Sequence, residues 1–431
     1  MRFSNLNFQH KKNIFMNVIV TISFFILVVV SLVLVARIPI GEIEQNKVLN
    51  AFDERITGYE VYPKITIENK LYLTTLDFWS ECITIGQAFG KGSIPFIDRP
   101  SGKEIHDNIC DDVKDSMSSN LKDLEKYYAY PQYIHGSSAV VKIILKLTDL
   151  RTGKIAISLI LLILMSFILL KLNKISKLPT LIFFIYFFLL TDFLYQGFSL
   201  AHGIATLWAL LIILGILINV IRRGYLWFAL SFIGGAGYAV FSPMHNPFQF
   251  MGLLTIVSLL GFLSLNIDLD SSAKKSFLLT LTWGLGGLLT MFGYWIIVSQ
   301  TNYSESLNSA LGWGLSGRLR INIFDSIYIF FGLLRVQIFQ FSLTMFGLLA
   351  IFFILGFIVG LPKKINKIRY ITYFYLFSPT LLVLIWFLLM TGHIGHGWTI
   401  NLIFTSLINI LISIHILKGA FDAPVVKVKK T

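Results

Sequence analysis

Seventeen of the 23 acidic residues of the chain lie between residues 38 and 153, so acid–base chemistry is sought there first. Asp77 and Glu81 are four residues apart, a spacing that places both carboxylates on one face of a helix. Two carboxylates held close together raise the pKa of one of them, and a raised pKa suits a general base near neutral pH. The same stretch contains two rival pairs, Glu42 with Glu44 and Asp111 with Asp112. For each pair, the alternative to a catalytic role is that both carboxylates lie on an ordinary solvated surface.

Two further segments carry groups that could bind a ligand. The glycine-rich segment Gly312–Arg320 contains Arg318 and Arg320, and guanidinium groups beside such a backbone suit a phosphate or pyrophosphate. The segment Tyr127–Gly136 contains four tyrosines, the last of them Tyr133, followed by His135. Tyrosine and histidine side chains of this kind suit a hydrated cleft with apolar walls, such as a binding site for a sugar or a lipid headgroup. Residues that merely anchor helices at a membrane interface are the alternative for both segments.

Helices that cross a membrane must position these groups. The chain is 55% hydrophobic and 14% charged, with a mean hydropathy of +0.73, which is typical of a polytopic membrane protein. A helix needs about 20 apolar residues to cross the hydrocarbon core. The first apolar stretch lacks a small-residue cleavage site, so we expect an uncleaved anchor. The sequence predicts an all-α protein with ten spans, at 14–36, 155–171, 179–196, 204–220, 225–241, 250–266, 277–298, 341–361, 370–390 and 398–417.

The positions of lysine and arginine orient these spans. With both termini in the cytoplasm, the inner segments hold eighteen Lys and Arg and the short outer loops hold three, as the positive-inside rule requires. The net charge of +13 therefore reflects membrane topology, and we expect a lipid bilayer but no nucleic acid as partner. The predicted divisions are an inner N-terminus and first span (1–37), an outer loop domain (38–153), nine further spans (154–418) with an outer loop at 299–340, and an inner basic tail (419–431).

Histidines gather on the predicted outer side. Under this topology four of them lie at outer helix ends, His202, His245, His393 and His396, and their clustering indicates a polar cavity. Asp192 lies near the outer end of the third predicted span, and an acid at membrane depth indicates function by default. The spacing of His393 and His396 also suits two metal ligands. No third ligand has a diagnostic spacing, so we expect no divalent metal.

The long outer loop carries both cysteines of the chain, Cys82 and Cys110. We predict a disulfide between them, because such bonds persist outside the reducing cytoplasm. Two separate buried thiols are the alternative. The sequence predicts helices over residues 118–129 and 137–150 of this loop. The second has the composition of an amphipathic helix at the membrane interface, and a buried helix is its alternative.

This layout resembles the GT-C superfamily of integral membrane glycosyltransferases and, more loosely, the serotype-converting glucosyltransferases that decorate O-antigen. The resemblance covers topology along nearly the whole chain: one span, a large outer loop, many further spans and a basic inner tail. In that superfamily the first outer loop usually carries an essential acid, and the positions that match here are Glu42, Glu44, Asp77 and Glu81.

The resemblance implies an enzyme of a bacterial inner membrane whose active site faces the periplasm. It would transfer a sugar, with inversion, from a polyprenyl-phosphate donor to a surface glycan such as O-antigen lipopolysaccharide. Asp77 or Glu81 is the first choice as general base. Arg318 and Arg320 would hold the donor phosphate in a cavity lined by the histidines, and no further cofactor is expected. A polysaccharide polymerase or ligase, and a transporter or flippase of lipid-linked substrates, are the alternatives.

Overall fold

The computed structural model describes residues 2–58, 64–67, 71–75, 78–89, 109–119, 134, 136–175, 199–242, 250–300, 304 and 370–389 of the chain. This part is helical apart from one β-hairpin. Its elements, labelled in chain order, are α1 (Arg2–Ala36), α2 (Glu42–Asp53), β1 (Lys64–Ile67), β2 (Leu71–Thr75), α3 (Phe78–Phe89), α4 (Ile109–Ser119), α5 (Gly136–Leu147), α6 (Leu150–Asn173), α7 (Leu200–Ile221), α8 (Trp227–Phe241), α9 (Met251–Leu263), α10 (Leu269–Ser299) and α11 (Tyr370–Leu389).

Four of the described helices are long and apolar enough to cross a membrane: α1 from Ile14 onward, α6, α7 and α10. Helices α8 and α9 are apolar but shorter, with 15 and 13 residues, and α11 is an apolar helix of 20 residues that contains Pro379. The chain is therefore a helical, membrane-embedded protein. Three of the ten predicted spans, at 179–196, 341–361 and 398–417, lie outside the described residues.

Contacts between helix ends give the direction of each helix in the bundle. The Asn17 side chain of α1 contacts the start of α8, and Leu32 of α1 packs in one cluster with Val240 at the end of α8, so α1 and α8 run the same way. Asp270 and Thr372, in the first turns of α10 and α11, are hydrogen-bonded. The first turns of α10 and α11 therefore lie side by side.

The described helices between α1 and α6, α2 to α5, form one unit, here called the insert, at one end of the bundle. Residues of α2, α3, α4 and α5 share a single hydrophobic core with α6, α7 and α9, so the insert is packed onto the bundle. The opposite end, here called the basic end, carries the lysines and arginines that close α6 and α7 and open α10: Lys171, Lys174, Arg222, Arg223, Lys274 and Lys275.

The β-hairpin is a departure from the all-helical prediction. Strands β1 and β2 pair antiparallel, with an irregularity between Ile65 and Thr66. Their sequences, KITI and LYLTT, are rich in β-branched and aromatic residues, which favour extended backbone over helix. The chain between α2 and α3 therefore contains a β-hairpin.

One face of helix α5 is buried against its neighbours, and the opposite face is exposed at Ile143 and Leu147. It packs against α1, α3, α7 and α8, and Val141 and Leu145 have no exposed surface. Lys142 is also buried, and its ammonium group donates to the carbonyl oxygen of Ala36, 2.9 Å away, at the end of α1. The described helix that precedes α5 ends at Ser119, and residues 120–129 of the other predicted helix lie outside the described residues.

Glycines bring α8 and α10 into backbone contact. A Cβ atom added at Gly235 of α8 would clash with the carbonyl oxygen of Trp283, and one added at Gly286 of α10 would clash with the carbonyl oxygen of Phe232. The Ser231 hydroxyl also donates to the carbonyl oxygen of Leu279 over 2.6 Å. Small residues that allow such close approach, with hydrogen bonds between helices, are how membrane helices associate when lipid competes for apolar contact.

We expect Gly286→Ala to destabilise the bundle by about 1–3 kcal/mol, because the added methyl group forces two helix backbones apart. The matched control is Gly293→Ala in the same helix, where an added Cβ meets nothing within 4 Å. The thermal unfolding midpoint of each detergent-purified variant measures the difference. Equal midpoints for the two alanine variants would contradict the close approach of α8 and α10.

Candidate functional site at the insert end

Glu81 of α3 is the centre of a buried polar cluster between the insert and the bundle. Its Oε1 atom accepts from the Lys154 ammonium group of α6 at 2.7 Å and from the Thr57 hydroxyl at 2.8 Å. Its Oε2 atom accepts from the backbone N–H of Leu200 at 3.0 Å. The Lys154 ammonium group also donates to the carbonyl oxygen of Ile56 at 3.0 Å. One carboxylate therefore joins three separate parts of the chain.

This cluster is closed to solvent. Glu81 has no exposed surface and Lys154 is 4% exposed, and the Lys154 ammonium group lies 4.8 Å from the centre of the Phe78 ring. A buried ion pair is stable only when additional hydrogen bonds satisfy both charges, and this one meets that requirement. Leu200 is the first residue of α7, so the carboxylate also lies at the positive end of a helix dipole.

The burial of Glu81 argues against its choice as general base. A base must reach the proton it removes within about 3 Å or through one water, and both carboxylate oxygens of Glu81 are occupied inside the protein. Glu81 forms an ion pair with Lys154 of α6. The described helix begins at Phe78, and Asp77 lies outside the described residues.

Glu44 is also held by partners inside the fold. Its Oε1 atom accepts from the Lys146 ammonium group of α5 at 2.8 Å, and its Oε2 atom accepts from the N–H of Gly41 at 2.9 Å. The hydrogen bond from Lys146 is the main cause that lowers the pKa of Glu44, and the bond from Gly41 adds to it. A carboxylate kept ionised in this way caps α2 and ties it to α5, and it is a weak proton acceptor.

Glu42 differs from its neighbour although both lie in the first turn of α2. Its side chain is exposed, and it follows the end of α1 at Ala36 by six residues. The adjacent apolar side chains are open as well: Ile43 is 71% exposed, and Leu147, at the end of α5, is 82% exposed. The Lys146–Glu44 ion pair brings these two helix ends together. The result is a carboxylate beside exposed apolar surface at the end of a predicted span.

The third acidic pair lies on the surface of α4. Asp111 is exposed and Asp112 is partly exposed, and both stand in the first turn of the helix, where acids stabilise the dipole. On the same helix, Lys114 pairs with Asp53 of α2 over 2.8 Å, with side chains that are 40% and 66% exposed. These contacts are typical of a solvated helix face.

The two cysteines are bonded to each other. The Cys82–Cys110 disulfide joins α3 to α4, with 5.2 Å between the two Cα atoms, and both residues are fully buried. Cys82 follows Glu81 directly, so the bond holds the helix that carries the buried cluster.

Of the histidines predicted to line a cavity, His202 is in the described part of the chain. It is partly buried in the first turn of α7, two residues after Leu200. The described residues contain no group of three or more potential metal ligands. The other predicted site residues lie outside the described residues: Asp77, Tyr133, His135, Asp192, His245, Arg318, Arg320, His393 and His396.

No family model matches the chain, and no curated protein or solved structure shows a significant similarity to it.

Lys154 and Thr57 are the members of the buried cluster that sequence reasoning missed. The sequence does carry a signal that Lys154 has a buried partner. Lys154 lies in the second turn of an apolar helix, and an ionisable residue at membrane depth requires a partner. Nothing in the sequence around Thr57 indicates its role, since the contact depends on how the turn after α2 folds against α3.

We expect Glu81→Gln and Lys154→Met each to destabilise the protein by about 3–5 kcal/mol, because each leaves the opposite charge buried without its partner. The double variant Glu81→Gln/Lys154→Met should regain a large part of that loss, since neither charge remains. Unfolding midpoints of the four proteins form a double-mutant cycle. Strict additivity of the two single effects would contradict a direct ion pair.

We expect the disulfide to contribute about 3 kcal/mol through the loop that it closes. The chain has two cysteines, so labelling with a maleimide counts free thiols without ambiguity. Protein denatured without reductant should take up no label, and protein reduced beforehand should take up two and melt at a lower temperature. Two labels without prior reduction would contradict the bond.

Proposed function

We propose that the chain is a membrane glycosyltransferase that moves a sugar from a polyprenyl-phosphate donor to a cell-surface glycan. The transfer takes place at the outer, periplasmic face of a bacterial inner membrane, which is the face of the insert. The observation that carries the proposal is the difference among the acids of the insert. Glu44 and Glu81 are engaged by internal partners, whereas Glu42 is exposed at the end of a span.

The position of Glu42 suits a reaction between a lipid and a water-soluble acceptor. The lipid part of the donor stays in the bilayer, so its reacting carbon reaches the protein at the membrane surface. Exposed Ile43 and Leu147 supply apolar surface for the isoprenoid chain beside the carboxylate. The Glu44–Lys146 pair holds this surface in place, and a fixed base avoids the entropic cost of bringing the reactants together.

In the proposed reaction Glu42 accepts the proton of an acceptor hydroxyl. The hydroxyl oxygen bonds to the anomeric carbon of the donor as the bond from that carbon to the phosphate oxygen breaks. The products are the glycoside with inverted configuration and the polyprenyl phosphate anion. Arg318 and Arg320 are the proposed partners of the leaving phosphate, and Asp77 is the second candidate for the base.

We expect Glu42→Gln to lower glycan modification by about 10²- to 10⁴-fold, the usual contribution of a general base. The matched control is Glu54→Gln, which removes an exposed acid just after the other end of α2, where Glu54 lies 3.8 Å from Arg151. Both variants, together with Asp77→Asn, are expressed in a strain lacking the gene, and the surface glycan is compared by mass spectrometry at equal membrane levels.

The strain without the gene provides the decisive comparison. Loss of one defined sugar on deletion and its recovery with wild-type protein support glycosyl transfer. An unchanged glycan on deletion contradicts the proposal and favours a transporter of lipid-linked substrates. Normal glycan modification by both Glu42→Gln and Asp77→Asn would show that neither acid is the general base. It would not contradict glycosyl transfer itself.

A further inference from the structure

The turn between α7 and α8 carries two adjacent arginines at the basic end of the bundle. Arg222 and Arg223 are exposed, and within the described part of the chain neither forms an ion pair. The segments 2–36 and 199–242, which hold α1, α7 and α8, contain no Asp or Glu. The two acids that open α10, Asp268 and Asp270, already accept hydrogen bonds inside the protein. The two guanidinium groups can therefore bind an anion from outside the chain.

Arg223 has a backbone conformation that favours glycine. Its φ angle is 55°, in the left-handed region that ordinary side chains rarely adopt. The N–H of Arg223 donates to the carbonyl oxygen of Val220 at 2.9 Å, and the N–H of Gly224 donates to that of Asn219 at 2.8 Å. This closing pattern usually has glycine at the left-handed position, whereas the glycine of this chain stands one residue later. An arginine kept in an unfavourable conformation at an exposed turn indicates a use for its side chain.

Aromatic side chains follow the two arginines at the start of α8. Tyr225 and Phe228 are exposed. Trp227 stacks on Phe228 with 3.8 Å between the ring centroids, and it meets Phe262 of α9 edge-on at 5.6 Å. The Lys275 ammonium group of α10 lies 5.6 Å from the centre of the Phe262 ring, so a third cation adjoins the same aromatic group. Basic side chains beside exposed aromatic rings are typical of the boundary between lipid headgroups and hydrocarbon.

Contacts with α1 give the depth of this turn in the membrane. The Asn17 side chain of α1 donates to the carbonyl oxygen of Tyr225 at 3.2 Å and accepts from the N–H of Ala229 at 3.0 Å. The apolar stretch of α1 begins at Ile14, three residues before Asn17, which is about 4.5 Å along the helix axis. Ile14 and Phe15 are exposed. The turn therefore lies where the apolar surface of the bundle begins, at the level of lipid phosphates.

We propose that residues 222–228, here called the arginine turn, bind the headgroup of an anionic glycerophospholipid in the leaflet at the basic end. Arg222 and Arg223 bind the phosphate, because a planar guanidinium group matches two phosphate oxygens at once. The acyl chains of the lipid lie along the exposed apolar side chains of α1. A zwitterionic headgroup brings its own cation, so two arginines with Lys275 nearby favour a lipid of net negative charge. The arginine turn lies at the opposite end of the bundle from the insert, and this proposal does not depend on the proposed function.

The test compares wild type and Arg222→Gln/Arg223→Gln as full-length proteins in detergent, with lipid binding followed by native mass spectrometry and by the unfolding midpoint. The probes are phosphatidylglycerol, phosphatidylcholine and inorganic phosphate. We expect phosphatidylglycerol to raise the midpoint of wild type. The double variant should bind it about 10- to 30-fold more weakly, the contribution of two arginines near a membrane surface. The matched control is Lys171→Gln/Lys174→Gln, which removes two exposed lysines at the same end of the bundle and should change the affinity little.

A second variant, Arg223→Gly, separates lipid binding from the folding of the turn. Glycine adopts the left-handed conformation without strain, so the lipid-free midpoint of this variant should equal or exceed that of wild type while its affinity for phosphatidylglycerol falls. Unchanged affinity in the arginine variants, an equal loss in the lysine control, or equal binding of phosphatidylglycerol and phosphatidylcholine by wild type would each overturn the proposal. So would binding of inorganic phosphate as tight as that of phosphatidylglycerol.

Discussion

The buried carboxylate of Glu81 is the interaction on which the arrangement of the insert and the bundle depends. It accepts hydrogen bonds from α6, from the turn after α2 and from the first N–H of α7. A charge in an apolar interior is costly unless it is paired and hydrogen-bonded. Separating these partners would leave the Glu81 carboxylate without them, which is unfavourable. The contacts of Glu81 therefore tie the insert to the bundle. The disulfide at the adjacent Cys82 fixes the helix that carries the carboxylate.

The same physical requirement recurs at other helix ends of the protein. Asn17 of α1 accepts from the N–H of Ala229 in the first turn of α8, over 3.0 Å. Lys142 of α5 donates to the last carbonyl of α1, and Lys47 of α2 donates to the carbonyl oxygen of Leu145 near the end of α5. Helix ends leave backbone groups without partners, and at membrane depth water is not there to supply them. Side chains from neighbouring helices take that role, which links the ends of the bundle together.

The sequence was sufficient to predict a helical membrane protein, because apolar length and composition are local properties. The hairpin at Lys64–Thr75 was missed, although its β-branched and aromatic residues carry a signal. The roles of the acids could not be read from spacing. Asp77 and Glu81 have the spacing of a helical pair, yet Glu81 pairs with Lys154, 73 positions further along the chain. Such pairing depends on tertiary packing, and sequence periodicity describes one helix at a time.

This difference bears on how acids in such loops are assigned to catalysis. An acid that caps a helix or neutralises a buried lysine is required for folding, so its removal abolishes activity without identifying a base. Glu44 and Glu81 belong to that class, and loss of function in variants at either position would report a misplaced insert. Glu42 is exposed, and its structural role in the described part of the chain is that of an acid in the first turn of α2. Loss of activity there, with insertion and stability retained, is the result that distinguishes proton transfer from support of the fold.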